Sequence, residues 1–403
     1  MRISPLSRPA LVAVALVFAL GGCSTVKGWF GGKGDKADAK KAAEPAELVK
    51  FTPSVSVAEL WHARAGKGEG RLGVAQAPVV ADGRVYAAAV EGGVHAFDLQ
   101  TGKEIWHYAP AKKKKEAEER ISGGPGVGDG LVVVGTLKGQ VIALDAATGT
   151  EKWRAKVPNE IIAAPAIGQG LVLVRANDGG VSAFDETTGE RRWFWNHEMP
   201  QLTVRGNAPV TLGPGVAFSP NDDGTVVALN LGSGAPVWSQ TVAPAEGRSE
   251  LDRMADVDGA AILDGTTLYA TSFKKETVAI DGPSGRVMWS RDNGGIGGLG
   301  LATSSVVVSD PAGTVWALDK NSGAPSWSQP ALARRSLTAP SVQGDYAVVG
   351  DYDGYVHWLK LDNGELAARE RVGGKSIKAK PVVADGIAIV QNVDGELTAF
   401  RLQ

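Results

Sequence analysis

The sequence predicts an all-β protein: an eight-bladed β-propeller of four-stranded antiparallel blades, its ring closed by an N-terminal strand that completes the last blade. Three observations carry this expectation. One short unit recurs along most of the 403 residues. The recurrence falls at the interval of propeller blades. A strand without a hairpin at the start of the repeats matches a strand missing at their end.

The clearest copy of the unit is GQVIALDAATGTEKW at Gly139–Trp153. VIALD alternates large and small residues with a period of two, as a half-buried strand does. Asp145 opens a loop in which a carboxylate can accept backbone N–H groups, and Gly149 supplies the positive φ that a tight connection needs. Trp153 lies in the returning strand and offers an apolar plate to a neighbouring unit. The frame recurs at Gly93–Trp106, Gly180–Trp193, Gly224–Trp238, Glu276–Trp289 and Gly313–Trp327. Gly354–Ala368 keeps the frame but has lost the tryptophan, and Gly395–Gln403 stops before the turn. Counted from the alanine of each copy (Trp358 stands there in the seventh), the spacings are 47, 40, 45, 51, 38, 41 and 41 residues. Several short strands at such a period make propeller blades.

Stretches such as Ala163–Ala176 and Ala379–Val390, each a small residue or proline, apolar residues, a turn and a strand, supply the first two strands of a blade. Small residues suit the innermost strands, which converge on the axis. Val55–Ala65, VSVAELWHARA, alternates and carries a tryptophan, so it reads as the missing outer strand of the eighth blade. Joining it to the C-terminal copy leaves no blade incomplete.

The chain divides into 1–22, an export signal; 23–54, a flexible tether; and 55–403, the propeller. Arg2 and Arg8 precede the apolar run Ala10–Leu20, which is too short to span a bilayer. The run ends in Leu20-Gly21-Gly22-Cys23, which resembles the lipobox of bacterial lipoproteins, so Cys23 is the expected site of lipidation. It is the only cysteine, which excludes an intramolecular disulfide. By the same resemblance, Ser24 after the cysteine implies sorting to the outer membrane. The tether is rich in Gly, Lys, Ala and Asp and has little to bury.

A net charge of −2 gives no global attraction to nucleic acid. The five histidines are scattered over different repeats without metal-ligand spacing and read as strand-surface residues. No nucleophile elbow, zinc-protease, phosphate-loop or haem motif is present. No catalytic residue, cofactor or metal is therefore assigned. The linkers are more informative. From each tryptophan to the next inner strand most run 12 or 13 residues, but Trp106 to Pro125 is 19, Trp193 to Pro209 is 16 and Trp238 to Ala260 is 22. All such crossings lie on one face of a propeller, and long loops on a rigid scaffold are where recognition sits. The first contains the charge run Lys112–Lys115 and reads as solvated. The second places Leu202 and Val204 beside Arg205; the third, Glu250–Asp258, alternates acids with apolar residues, as an interface does. Pairing of Arg205 with Asp256 or Asp258, merely bracing the two loops, is the alternative.

The repeat A-x-D-x-x-[TS]-G-x-x-x-W resembles the tryptophan-docking repeat of the pyrroloquinoline quinone (PQQ) dehydrogenases, but those enzymes need vicinal cysteines that this chain lacks. A lipobox, a tether and eight such repeats, with LTVRG before blade four and ELDRMADVD before blade five, resemble the BamB family, lipoprotein subunits of the outer-membrane β-barrel assembly (BAM) machinery. The resemblance implies a non-catalytic scaffold, lipid-anchored in the outer membrane of a Gram-negative bacterium and facing the periplasm. It implies docking on the periplasmic POTRA domains of BamA through Leu202, Val204, Arg205, Asp256 and Asp258, in support of β-barrel folding and insertion. Unfolded outer-membrane proteins are a further partner it leaves open, and a quinoprotein or sugar-binding propeller is the alternative function. The anchor is directly testable: Cys23→Ala is expected to abolish palmitate labelling and to move the protein out of the outer-membrane fraction, and a variant that still labels and sediments there refutes the assignment.

Overall fold

The computed structural model describes residues 44–403 except 70, 71, 111–118, 205, 207 and 296. The signal stretch, Cys23, Lys112–Lys115 and Arg205 thus lie outside the described residues. Pro45–Gln403 is one compact unit. It contains eight four-stranded antiparallel sheets. In chain order blade one spans 79–108, two 121–156, three 166–195, four 211–241, five 262–291, six 299–329 and seven 341–371. Blade eight takes three strands from 382–402 and its outer strand, Val57–Arg64, from the other end of the chain. That strand pairs antiparallel with Glu396–Leu402, from Val57 opposite Leu402 to Arg64 opposite Glu396. The expected closure is therefore observed, and the edge of the C-terminal strand is covered.

Each repeat does the same mechanical work. Asp145 Oδ1 accepts the N–H groups of Ala147 and Thr148 at 3.1 and 3.0 Å and the Thr148 hydroxyl at 3.0 Å. The Thr148 hydroxyl above all holds this carboxyl below its ordinary range. A bulge follows the marker alanine, and the tryptophan sits opposite that alanine: Ala143 faces Trp153, Ala96 faces Trp106, Ala279 faces Trp289. The indole then leaves its own blade. Trp153 Nε1 donates to Glu186 O of the next blade at 2.7 Å, and its ring lies on Gly189. Seven junctions repeat this pairing, from Trp61 to Leu99 O through Trp327 to Leu361 O, with N–H···O distances of 2.7–3.1 Å. The receiving glycine has φ near +70° at each, and a Cβ there would lie 2.5–2.7 Å from the indole. Two independent constraints, handedness and contact, thus select glycine at that point.

The eighth junction, from blade seven to blade eight, is built differently. In blade eight the turn that would receive an indole does not exist, because the third and fourth strands come from opposite ends of the propeller segment and are not consecutive. The outer strand of blade seven has no tryptophan to place there. The large and small partners are exchanged: Trp358 on the third strand faces Ala368 on the outer strand. Trp358 is fully buried, meets Phe400 of blade eight edge-on at 5.5 Å, and donates from Nε1 to Gln343 Oε1 at 2.7 Å. Val55 and Val57 pack on the same cluster.

One expectation is corrected. The end of the presumed tether does not stand free: Ala46 N donates to Ala333 O and Ser54 N to Ala367 O, both at 2.9 Å, so 45–54 belongs with the propeller. The exchange at blade seven yields a prediction. Trp358→Ala should cost about 3–5 kcal/mol, as large-to-small changes of buried aromatics do. Adding Ala368→Trp should not recover the loss, since no glycine turn receives the new indole. Thermal unfolding of the single and double variants measures both.

Candidate functional site

Two of the long crossings, 196–210 between blades three and four and 242–261 between blades four and five, lie side by side on one rim. The second is built as a rigid element. Lys274 Nζ donates to Pro244 O at 2.8 Å and Glu246 O at 2.6 Å, fixing the loop's base. Ser249 caps the one-turn helix Glu250–Arg253: its Oγ accepts from Asp252 N, and Asp252 Oδ2 accepts from Ser249 N at 3.1 Å. Arg253 closes the other side on Gly247 O and Glu250. This bracing presents Leu251 to solvent at 66% exposure, the highest of the exposed large apolar side chains. Leu202 on the neighbouring loop is 42% exposed and Val204 is half-buried.

Beyond the helix the chain turns inward. Met254, Ala255, Asp256, Val257 and Asp258 are all buried. The acid–apolar alternation of Glu250–Asp258 therefore does not describe one exposed strip, and Asp256 and Asp258 are not surface charges. Asp256 Oδ1 accepts the Val204 N–H at 2.8 Å, and Asp256 O accepts from Phe273 N at 2.8 Å. Asp256 thus ties the first loop to the second and the second to blade five. Asp258 lies on Gly206: a Cβ at that position would fall 1.6 Å from Asp258 Oδ1. Contact alone selects the glycine of LTVRG. The family resemblance implies that Leu202, Val204, Arg205, Asp256 and Asp258 share one surface. Four of them are brought to these two adjoining loops, two as core bracing; Arg205 lies outside the described residues, so its pairing is not part of this geometry.

The electrostatics follow from burial. Arg175 on blade three pairs with Asp222 on blade four, both buried. Carboxylate oxygens of Asp222, Asp256 and Asp258 lie within 4.8 Å of one another. Burial first, then the charges of Asp256 and Asp222, pushes Asp258 up to about 8. Burial also raises Asp256, against the Val204 N–H that stabilises its anion. Among the described residues this is the one acidic or histidine group compact enough to share a cation, and the Arg175 guanidinium already occupies one member. The histidines form no such group, and two are buried rather than on strand surfaces. His95 pairs with Glu104 at 2.8 Å and stacks on His107 at 4.0 Å; His357 is held by Asp351 at 2.9 Å.

The family model for outer membrane protein assembly factor BamB matches residues 56–117 and 90–329. The chain belongs to the BamB family. The BamB of Xanthomonas campestris pv. campestris is 64% identical over 398 residues, covering 98% of this chain and 97% of that protein. That of Escherichia coli K12 is 34% identical, covering 98% of each. The crystal structure of BamB from Moraxella catarrhalis superposes with a TM-score of 0.76 at 28% identity, over 86% of this chain and 100% of that one. Quinohemoprotein alcohol dehydrogenase from Comamonas testosteroni, 17% identical with a TM-score of 0.65, covers 88% of this chain and 78% of its own, and shares the fold alone. As a member of the family the chain is a non-catalytic outer membrane protein assembly factor.

The raised Asp258 yields a pH prediction. Between the ordinary carboxyl value and about 8, the unfolded chain ionises this group while the folded protein keeps it protonated. Stability attributable to it therefore falls as pH rises through that window, by at most about 1.4 kcal/mol per pH unit. Asp258→Asn, which is neutral throughout, should flatten the decline in melting temperature between pH 5 and pH 8; an unchanged slope would refute the assignment.

Proposed function

We propose that the propeller docks on the periplasmic POTRA domains of BamA through the rim formed by 196–210 and 242–261, and that a lipid on Cys23 holds it at the outer membrane facing the periplasm. From there it assists the folding and insertion of β-barrel proteins. The observation that carries this reading is the paired loop itself. Two exposed leucines, Leu202 and Leu251, stand on loops locked to each other by the Val204–Asp256 bond. Rigid, exposed apolar anchors ringed by polar groups are what a binding hot spot needs. In this scheme Leu202, Leu251 and Val204 make contact together with Arg205, whereas Asp256 and Asp258 set the loops' conformation.

The division of labour is testable. Leu202→Ser and Leu251→Ser should leave the folding stability within about 1 kcal/mol of the parent, because both side chains are solvent-exposed. Each should weaken capture by the purified POTRA domains by about tenfold or more, or about 1.4 kcal/mol. Asp256→Ala should lower binding and stability together, since it releases the partly buried Val204 N–H that ties the two loops. Parental binding by both leucine variants would place the docking surface elsewhere on the ring.

A further inference from the structure

The segment immediately before the first strand is a built element of the propeller. It runs along the outside of blade seven. At its upper end Ala46 N donates to Ala333 O at 2.9 Å and Ala46 O accepts from Arg335 Nη1 at 3.0 Å. Midway Val49 O accepts from Arg369 Nη2 at 3.1 Å, and the same guanidinium lies 5.0 Å from the centre of the Phe51 ring. At the lower end Ser54 N donates to Ala367 O.

The two arginines are themselves fixed from inside. Arg335 Nε donates to Asp351 Oδ2 at 2.7 Å, and the same oxygen lies 2.9 Å from His357 Nε2. Arg369 Nε approaches His357 Nδ1 at 3.4 Å. Asp351 and His357 are fully buried and Arg335 nearly so. One interior relay thus fixes the two arginines that grip the segment.

The underlying strand is adapted to being covered. On the outer strands of blades one to six the residue before the docking tryptophan is exposed, as with Ile105 at 44%, Val237 at 57% and Met288 at 55%, and on blade eight Leu60 is half-buried. The equivalent in blade seven is Ala367, and it is fully buried.

We infer that 46–54 is a docking strap: it seals the blade-seven edge where no tryptophan dock exists, and it fixes the point from which the N-terminal chain leaves the propeller. That point, beside Ala333, is on the crossing between blades six and seven, and so on the same rim as 196–210 and 242–261. Releasing the strap frees nine residues, 46–54, and adds up to roughly 30 Å of reach to the leader. The strap does not depend on the docking partner or on lipidation, so it stands or falls separately from the proposed function.

The test uses the full chain. In the parent, amides of 46–54 should exchange at least about tenfold more slowly than unstructured peptide, and trypsin should cut after Lys50 slowly. Arg369→Ala combined with Phe51→Ala should raise both rates about tenfold or more while exchange in blades one to six stays unchanged. Independently, Ala46→Cys with Ala333→Cys, in a Cys23→Ser background, should form a disulfide and suppress cleavage at Lys50. Peptide-like exchange of 46–54 in the parent, or failure of the folded cysteine pair to cross-link, overturns the strap. Unchanged rates in the arginine–phenylalanine variant overturn its attachment through Arg369.

Discussion

The ring rests on one repeated contact, an indole from one blade seated on a glycine turn of the next. It combines a large apolar area with a single N–H that must find an acceptor when buried, and the carbonyl at the start of the receiving turn provides it. Because the acceptor belongs to the backbone, any residue can carry it: Leu99, Ala146, Glu186, Gly282 and Lys320 all do so. What recurs with the contact is the glycine and, in six of the seven turns, a Ser or Thr hydroxyl three residues after the Asp or Asn that opens the turn. Seven such seats hold blades whose remaining residues differ widely.

That economy explains which parts of the fold were legible in the chain. Asp, Gly and Trp of each unit lie within about ten residues of one another, so a short pattern contains both halves of the turn and the outgoing plate. The loss of tryptophan at Ala368 and the appearance of Trp358 were visible as exceptions. Their meaning was not, because it depends on a turn that blade eight does not possess. The strap was misread as tether for a related reason. Its side of each hydrogen bond is a peptide group, and the arginines that meet it stand about three hundred residues away.

The candidate site shows the same limit more sharply. Leu202, Val204, Asp256 and Asp258 were found as motif residues, yet the alternation that suggested exposure does not distinguish a surface strip from a chain turning into the core. The partner of Asp256 is the Val204 N–H, 52 positions away, and no pattern announces it. Leu251 was overlooked within ELDRMADVD although a signal was present: Ser249 followed three residues later by Asp252 is a helix-start signature. Read that way, the motif splits into a presented turn and a buried brace, which is how the structure uses it.

The seam in blade eight has a consequence for how the protein comes into being. Val57 pairs with Leu402, so the first and last strands of the ring are neighbours in space and the farthest apart in sequence. Seven blades are made of consecutive hairpins that can assemble as soon as each emerges. The eighth cannot be completed until the C-terminal strand has been synthesised. The indole of Trp61, which seats on blade one, is positioned by that same late pairing. Closing the circle therefore waits on the last strand, and a chain truncated by even that strand would be left as an open arc with unsealed ends.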